Sequence, residues 1–424
     1  MSPKNIDELQ ALAPQSVLAE DSASSARERK VVLLIAAVQF VNVLDFVMVM
    51  PMGPDFAVAL GIDMSHLGAI GGAYTLAAAV AGLACSTFLD RFDRRTVLMW
   101  SMAGLALGTV SGGFAWNLTS LLVARVIAGL FGGPATAIAM SIIADTVPNQ
   151  RRGRAMGTVM GSFSLASVVG IPAGLELATA GGWRTPFFAI GALCVVVTLL
   201  SRLLLPELRD HMAQALARPL QLRDAATILA RREFWLCYMM AIAAAMSAFL
   251  LIPNLSAYSQ FNLGLPRDQL GSLYLYGGLA SFVSMWLTGR AVDRFGSLGV
   301  TLFATALFFG VLWVGFWHWT GAISVIAVFV PYFIANSSRN VAFNATVSRV
   351  AQPHERARFM SAMSAVQHLA AAAGSIASGM LLVELPDHRL QGMAALAVVA
   401  FGIAATLPLW LGLVERRLRA QALV

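Results

Sequence analysis

Residues 88–92 read Phe88-Leu89-Asp90-Arg91-Phe92, and residues 291–295 read Ala291-Val292-Asp293-Arg294-Phe295. Each pentapeptide follows a long apolar run, and the Asp-Arg pair falls in the same place in both. Pro51, near the end of one run, is echoed by Pro253, and Pro148 with Arg154 is echoed by Pro353 with Arg358. A repeat of this length divides the chain into two similar halves. Outward from the repeated pairs, the apolar runs are 31–52, 67–88, 96–115, 118–143, 155–178, 185–205, 234–258, 269–289, 297–317, 321–347, 358–383 and 391–414. Each is close to the roughly 20 residues that cross about 30 Å of hydrocarbon at helical rise. Six runs per half is an even number, so both halves enter the bilayer from the same side. The fold expected is an all-α polytopic membrane protein, with twelve transmembrane helices in two parallel six-helix repeats around a central cavity. The boundaries read as a tail over 1–30, a bundle over 31–205, a polar linker over 206–232, a second bundle over 233–414 and a tail over 415–424.

Composition agrees with this reading. Of 424 residues, 58% are hydrophobic and 12% charged, about half the charged share of a soluble domain. No polar domain remains for chemistry, so the chain does not read as an enzyme. The net charge of +7 comes from 29 Lys and Arg against 22 Asp and Glu, a sign that a nucleic-acid binder would share. The distribution argues otherwise. With both termini on one face, twenty-four bases fall on that face and only Arg184, Arg267 and Arg389 fall opposite. Arg125 and Arg339 are left inside apolar runs. Because bases cross a membrane poorly, such a bias sets orientation. The expectation is a cell (inner) membrane protein with both termini cytoplasmic and no nucleic-acid partner. Residues 1–26 carry Lys4 alone against four acids, the wrong charge for a signal peptide, and read as a mobile extension. Cys85, Cys194 and Cys237 have neither paired nor zinc-type spacing. No metal, cofactor or phosphate-binding loop is expected, so ATP does not drive the protein.

Ionisable residues inside hydrocarbon are costly, about 2.5–3.5 kcal/mol each on insertion scales, and mark function by default. Asp45 lies about 22 Å along run one at helical rise. Arg125, descending in run four, falls at the same level. Burial pushes such a carboxylate towards neutrality while the arginine holds it charged, so its proton affinity can swing with water access or cargo. Asp45 and Arg125 are therefore the expected proton-coupling pair. The corresponding positions of the second half fall near Ser247 and Phe329, so the pair is not a symmetric structural need. A static ion pair that only locks helix packing is the alternative.

Arg339, in the middle of run ten, has Asn336, Asn340 and Asn344 nearby, and all four read as one polar stripe facing the cavity. Gln367 and His368 in run eleven are expected neighbours of that surface, with His368 either touching substrate or satisfying Arg339. Gln39 and Asn42 precede Asp45 in run one and are read as lining the same cavity, or else as bridging helices. Tyr74 and Tyr258 are included as hydroxyls that orient a substrate. Glu176 and Glu384 read as solvated rim residues. Gly129, Gly132 and Gly133 in run four and Gly170 and Gly174 in run five allow close helix approach, and Pro134 and Pro172 bend their helices.

These residues resemble the major facilitator superfamily over essentially the whole membrane part, from about Lys30 to Arg417. Ser86-Thr87-Phe88-Leu89-Asp90-Arg91-Phe92-Asp93-Arg94-Arg95 is similar to the family's G-x-L-x-D-R-x-G-R-R signature, with Ser86 and Asp93 where the family has glycine. Its second copy, Gly289 to Gly296, keeps both glycines. Run four carries Arg125 and Gly129 in an R-x-x-x-G pattern. Run five carries Gly170-Ile171-Pro172-Ala173-Gly174, followed by Gly182-Trp183-Arg184, and this resembles the twelve-span drug:proton antiporter branch, closest to its sugar-efflux-like members. The resemblance implies alternating access with a gating set of Asp90, Arg91, Arg94, Asp293, Arg294, Gly170, Pro172 and Gly174. In it, Asp90 would latch onto the start of run eleven and Asp293 onto the start of run five. The expected activity is export of a small or amphipathic, drug- or sugar-like compound by proton antiport from a monomer in the bilayer. The alternatives are a proton symporter or uniporter for a sugar or organic anion and, from another class, a transport-incompetent sensor or scaffold.

Overall fold

The computed structural model describes residues 15–85, 91–208, 212, 231, 234–350 and 356–421. Helix α1 spans Gln15–Met48 and starts well before the apolar run, because its Ala-, Glu- and Arg-containing first turns are competent for helix without being apolar. Its membrane-length part is Glu28–Met48. Helices α2 (Leu67–Cys85), α3 (Arg94–Gly113) and α4 (Leu118–Thr146) follow. Helix α5 is Asn149–Leu165, a π turn at Ala166–Gly170, then Ile171–Gly181. Pro172 has no N–H for the preceding turn, and the helix widens just before it. Helix α6 spans Thr185–Leu204.

In the second half, α7 begins as Trp235–Phe249 and continues through short 3₁₀ and π turns to Asn262. The stretch Leu270–Leu312 is helical throughout except at Gly296, with φ 78 and ψ 157, a conformation open to glycine. It is too long for one crossing, so Gly296 divides it into α8 (270–295) and α9 (297–312). Helices α10 (Val325–Val347), α11 (Arg356–Leu381) and α12 (Met393–Gln421) complete the set. The described residues thus make twelve crossings. Nine stretches are long and apolar enough by themselves. The break at Gly296 splits one of them, and α10 and α11 fall short because they carry Arg339 with its asparagines and Gln367 with His368.

An even number of crossings returns both termini to one end, here called the termini end; the other is the loop end. The halves meet towards the loop end. Gly68 of α2 packs on the Ser375 backbone and Gly72 on the Ile376 side chain of α11, and Gly278 of α8 packs on the Ser167 backbone of α5, so closely that a methyl group at any of them would collide. Asp55, in the short helix Gly53–Leu60, accepts a two-pronged bond from Arg267, with Nε at 2.7 Å and Nη2 at 2.5 Å. Glu384 lies in a two-stranded ribbon between α11 and α12 and accepts from the Met64 backbone N–H and from His388 Nδ1, each at 2.5 Å. Glu384 is therefore a clamp between halves rather than a solvated rim residue. Glu176 is exposed, as expected.

At the termini end, the two copies of the repeated loop turn by different means. Gly296 supplies a left-handed backbone in the second. In the first, Asp93 caps α3, accepting from Thr96 N–H at 3.1 Å and from Leu208 N–H at 2.8 Å. The charge at this position is thus a tether between the start of α3 and the segment after α6. Arg94 pairs with Asp145 at the end of α4, within the same half. Asp293 and Arg294 are exposed, and among the described residues Asp293 makes no hydrogen bond or ion pair, the expected contact with α5 included. Arg91 is described and partly buried; Asp90 lies outside the described residues.

Burial works against the Asp93 carboxylate, but the hydrogen bonds from Leu208, Thr96 and Arg95 outweigh it and hold its pKa below the ordinary range. A folded pKa below the unfolded one, about 3.9, gives stability that is present above that pH and lost as pH falls through the folded value. Asp93→Asn is accordingly expected to melt lower than the parent at neutral pH and to lose the parent's further decline below about pH 4. Thermal melts of the detergent-purified protein across pH measure this. Parallel acid limbs in the two proteins would contradict it.

Candidate functional site

The polar centre of the first half is built by four helices. Asp45 of α1 and Arg125 of α4 are each about 1% exposed. Arg125 faces the carboxylate end-on, with Nη1 to Oδ1 and Nη2 to Oδ2, both at 3.1 Å, and Nη2 also reaches the Asp45 carbonyl at 3.3 Å. Thr109 of α3 donates to Asp45 Oδ1 at 2.7 Å. Tyr74 of α2 lies under the guanidinium, 4.7 Å from ring centre to Cζ, and donates its hydroxyl to Asn42 Oδ1 at 3.0 Å. Asn42 in turn donates to the Gly132 carbonyl at 2.9 Å and to Thr136 at 2.6 Å. A two-pronged arginine–carboxylate pair with its remaining lone pairs engaged is the geometry that makes a buried ion pair tolerable.

The glycines of α4 make that geometry possible. A methyl group on Gly132 would strike the Tyr74 hydroxyl, and one on Gly129 would strike the Tyr74 backbone. Helix α5 closes on α1 in the same way, with Gly170 against Leu44 and Gly174 against Met48. The π turn and Pro172 sit at this contact. On its other face, the Tyr74 ring stacks on Phe46 at 5.1 Å, and Phe46 stacks on Phe249 of α7 at 5.9 Å. A continuous stack therefore runs from the second half, through α1 and α2, to the ion pair. Gln39 is buried one and a half turns before Asp45, with its Oε1 unpartnered.

The second half places its residues differently from expectation. Arg339 is buried, but on the face of α10 that meets α7 and α9. Its Nη2 donates to Ser247 at 2.8 Å, and its Cζ lies 4.9 Å above the Phe308 ring. Asn340 and Asn344 are exposed and Asn336 is half-buried. Their bonds stay within the helix, from Asn336 to the Tyr332 carbonyl and from Asn344 to Asn340. The four residues do not share a stripe, since a one-residue step turns a helix by about 100°. Ser247 stands six residues before Pro253, as Asp45 stands six before Pro51. The equivalent of Asp45 is thus met by an arginine after all, from a register ten residues beyond Phe329.

Tyr258 donates to the Gly315 carbonyl at 2.8 Å and stacks on Phe316, which makes it a packing residue between α7 and the end of α9. Gln367 and His368 are half-buried on α11 and make no hydrogen bond to Arg339. Thr109, Asp55 and Arg267 were not anticipated. Thr109 looks like any small residue in an apolar run, although the two ions require a third donor. Arg267 carried a signal, as one of only three bases on its face.

Residues 35–375 match the sequence profile of the Major Facilitator Superfamily. A chloramphenicol resistance protein of Streptomyces lividans is 24% identical over 241 residues, covering 57% of this chain and 61% of that protein. A probable sugar efflux transporter of Mannheimia succiniciproducens is 29% identical over 188 residues, covering 44% and 47%. The chain thus spans about half to three-fifths of the length of these curated relatives. Among solved structures, a bacterial homologue of the human lysosomal transporter Spinster, inward-facing and unoccupied, has a TM-score of 0.71 at 17% identity, covering 92% of this chain and 97% of that one. The D-xylose-proton symporter has a TM-score of 0.72 at 16% identity, covering 90% and 96%. At these identities the likeness is one of fold.

Removing one member of a buried pair strands the other, at about 3–5 kcal/mol. Asp45→Asn and Arg125→Gln are each expected to lower the melting temperature in detergent, and the double variant to lose clearly less than the two losses combined. Additive losses would mean that the two charges do not depend on each other.

Proposed function

Since the chain belongs to the major facilitator superfamily, we propose that it is a secondary transporter that exports a small or amphipathic, drug- or sugar-like compound in exchange for protons. The family is one of transporters and not of enzymes. The observation that carries the coupled reading is Asp45, a carboxylate about 1% exposed at membrane depth, whose counterpart in the other half is a serine. A pair needed only for packing would be expected in both halves. The relatives named for chloramphenicol resistance and for sugar efflux support the direction of transport.

In this conformation Asp45 is sealed between helices and bonded to Arg125 and Thr109. It exchanges a proton only when the pair opens, and what opens it is motion of α1 against α4. The stack Phe249–Phe46–Tyr74–Arg125 ties that motion to the separation of the two halves. Asn42, bonded to Tyr74, and Gln39, with its free carbonyl, form the polar approach to the pair. Cargo and proton exclude one another at this centre: the neutral acid gives up its proton and closes on Arg125 when cargo arrives at Asn42, and the pair opens to take up a proton when cargo leaves. The positive-inside bias supports a bacterial cell membrane protein with both termini cytoplasmic. In that orientation, the meeting of the halves at the loop end corresponds to the inward-facing form, in which Asp293 has no ion pair among the described residues and the latch belongs to the other form. The carrier works as a monomer.

Proton exchange on cargo addition tests the reading. With chloramphenicol and a set of disaccharides as probes, inverted vesicles containing the carrier and acidified inside are expected to lose their pH gradient with the parent. Asp45→Asn is expected to leave the gradient intact while still folding. Equal dissipation by parent and variant would remove Asp45 from coupling, and an accumulation of probe driven in the cytoplasmic direction would reverse the assigned direction.

A further inference from the structure

Among the described residues, Arg339 is a buried cation without an anion. It is about 2% exposed, its hydrogen bond goes to a neutral hydroxyl, and its Nε and Nη1 have no partner among the described residues. The Ser247 hydroxyl that accepts from it is itself donated to the Ala243 carbonyl at 2.6 Å, so no negative charge is induced there. About two turns earlier on α10, the Tyr332 hydroxyl is also buried without a partner among the described residues. An uncompensated ion in a low-dielectric interior carries a penalty of several kcal/mol, and nothing in the packing of α7, α9 and α10 offsets it beyond the face of Phe308.

The first half shows what completes such an arrangement. There, the residue six before the helix-breaking proline is Asp45, and Arg125 offers it Nη1 and Nη2 together. In the second half, the residue at that place is Ser247, shorter by a carboxylate, and Arg339 has already committed Nη2 to it while Nη1 stands unused. The missing element is one carboxylate.

We infer that Arg339, with Ser247 and Tyr332, is a binding site for a single carboxylate borne by the transported compound. The inference rests on the transport reading above and deepens it by naming the cargo as a monovalent organic acid. One guanidinium matches one negative charge, and its planar edge matches a carboxylate better than it matches a hydroxyl or a ring. Cargo charge then does in the second half what Asp45 does in the first, so that an occupied carrier holds a neutralised arginine on both sides of its centre.

The test uses the purified full-length carrier and acids of increasing size. Formate, acetate and benzoate are compared with formamide, acetamide and benzamide in thermal melts at equal ionic strength, with chloride as the balancing ion. At least one acid is expected to raise the melting temperature by roughly 2 °C or more over its amide. Ser247→Asp supplies the carboxylate from within. It is expected to melt above the parent in the absence of acid and to gain nothing further from it, and Arg339→Gln is expected to lose the acid effect. Equal melts in every acid and amide, or an acid effect that persists in Ser247→Asp, would overturn the site. The vesicle assay with Asp45→Asn reads coupling independently. An acid effect alongside failed proton exchange would therefore strike the transport reading and leave the carboxylate site standing.

Discussion

A charge carried into hydrocarbon must bring its partner with it. That constraint organises the first half of this molecule around Asp45 and Arg125, because each ion alone would cost more than a helix contact returns. The pair in turn dictates its surroundings: a hydroxyl from α3, an aromatic face from α2, and glycines along α4 that let those helices approach closely enough to reach it. Packing and electrostatics are here one requirement. The helices of the first half sit where they do because the ion pair needs donors at fixed distances.

The second half obeys the same constraint incompletely. It keeps an arginine beside the position that corresponds to Asp45, brought from a different level of α10, but it has a serine where the acid would be. Two bundles descended from one pattern have thus diverged at their most expensive position. Among the described residues, one pairs its buried arginine with an acid and the other with a hydroxyl. A difference of that size between otherwise similar bundles is a stronger indication of role than the presence of polar groups alone.

Much of this was legible in the chain. The repeated Asp-Arg loops and the twelve apolar runs give the helices and their order, because crossing length is fixed by the bilayer and by helical rise. Depth was legible too, since Asp45 and Arg125 were placed at one level by counting residues. Rotation was not. Asn340 is one step from Arg339 and Asn344 five, which turns them about 100° and 140° away on a regular helix. Arg339 therefore faces α7 while the amides face elsewhere. The register of the second arginine was hidden for a related reason: an extended guanidinium can reach a neighbouring helix from more than a turn away, so its Cα position does not fix the level of its charge. Contacts between loops, such as Asp55 with Arg267 and Glu384 with Met64, join residues hundreds of positions apart and have no periodicity to betray them.

The fork between Arg267 and Asp55 differs from the ion pair in the bundle in one respect: both of its side chains are partly in water, at 28% and 22% exposure. Dissolved ions reach it and weaken it, whereas they cannot reach a pair enclosed by helices. The two halves are therefore fastened together at that end by a bond whose strength is set by the medium. Raising the electrolyte concentration at the loop end loosens that fastening, while the Asp45–Arg125 pair, enclosed by helices in this conformation, stays out of its reach.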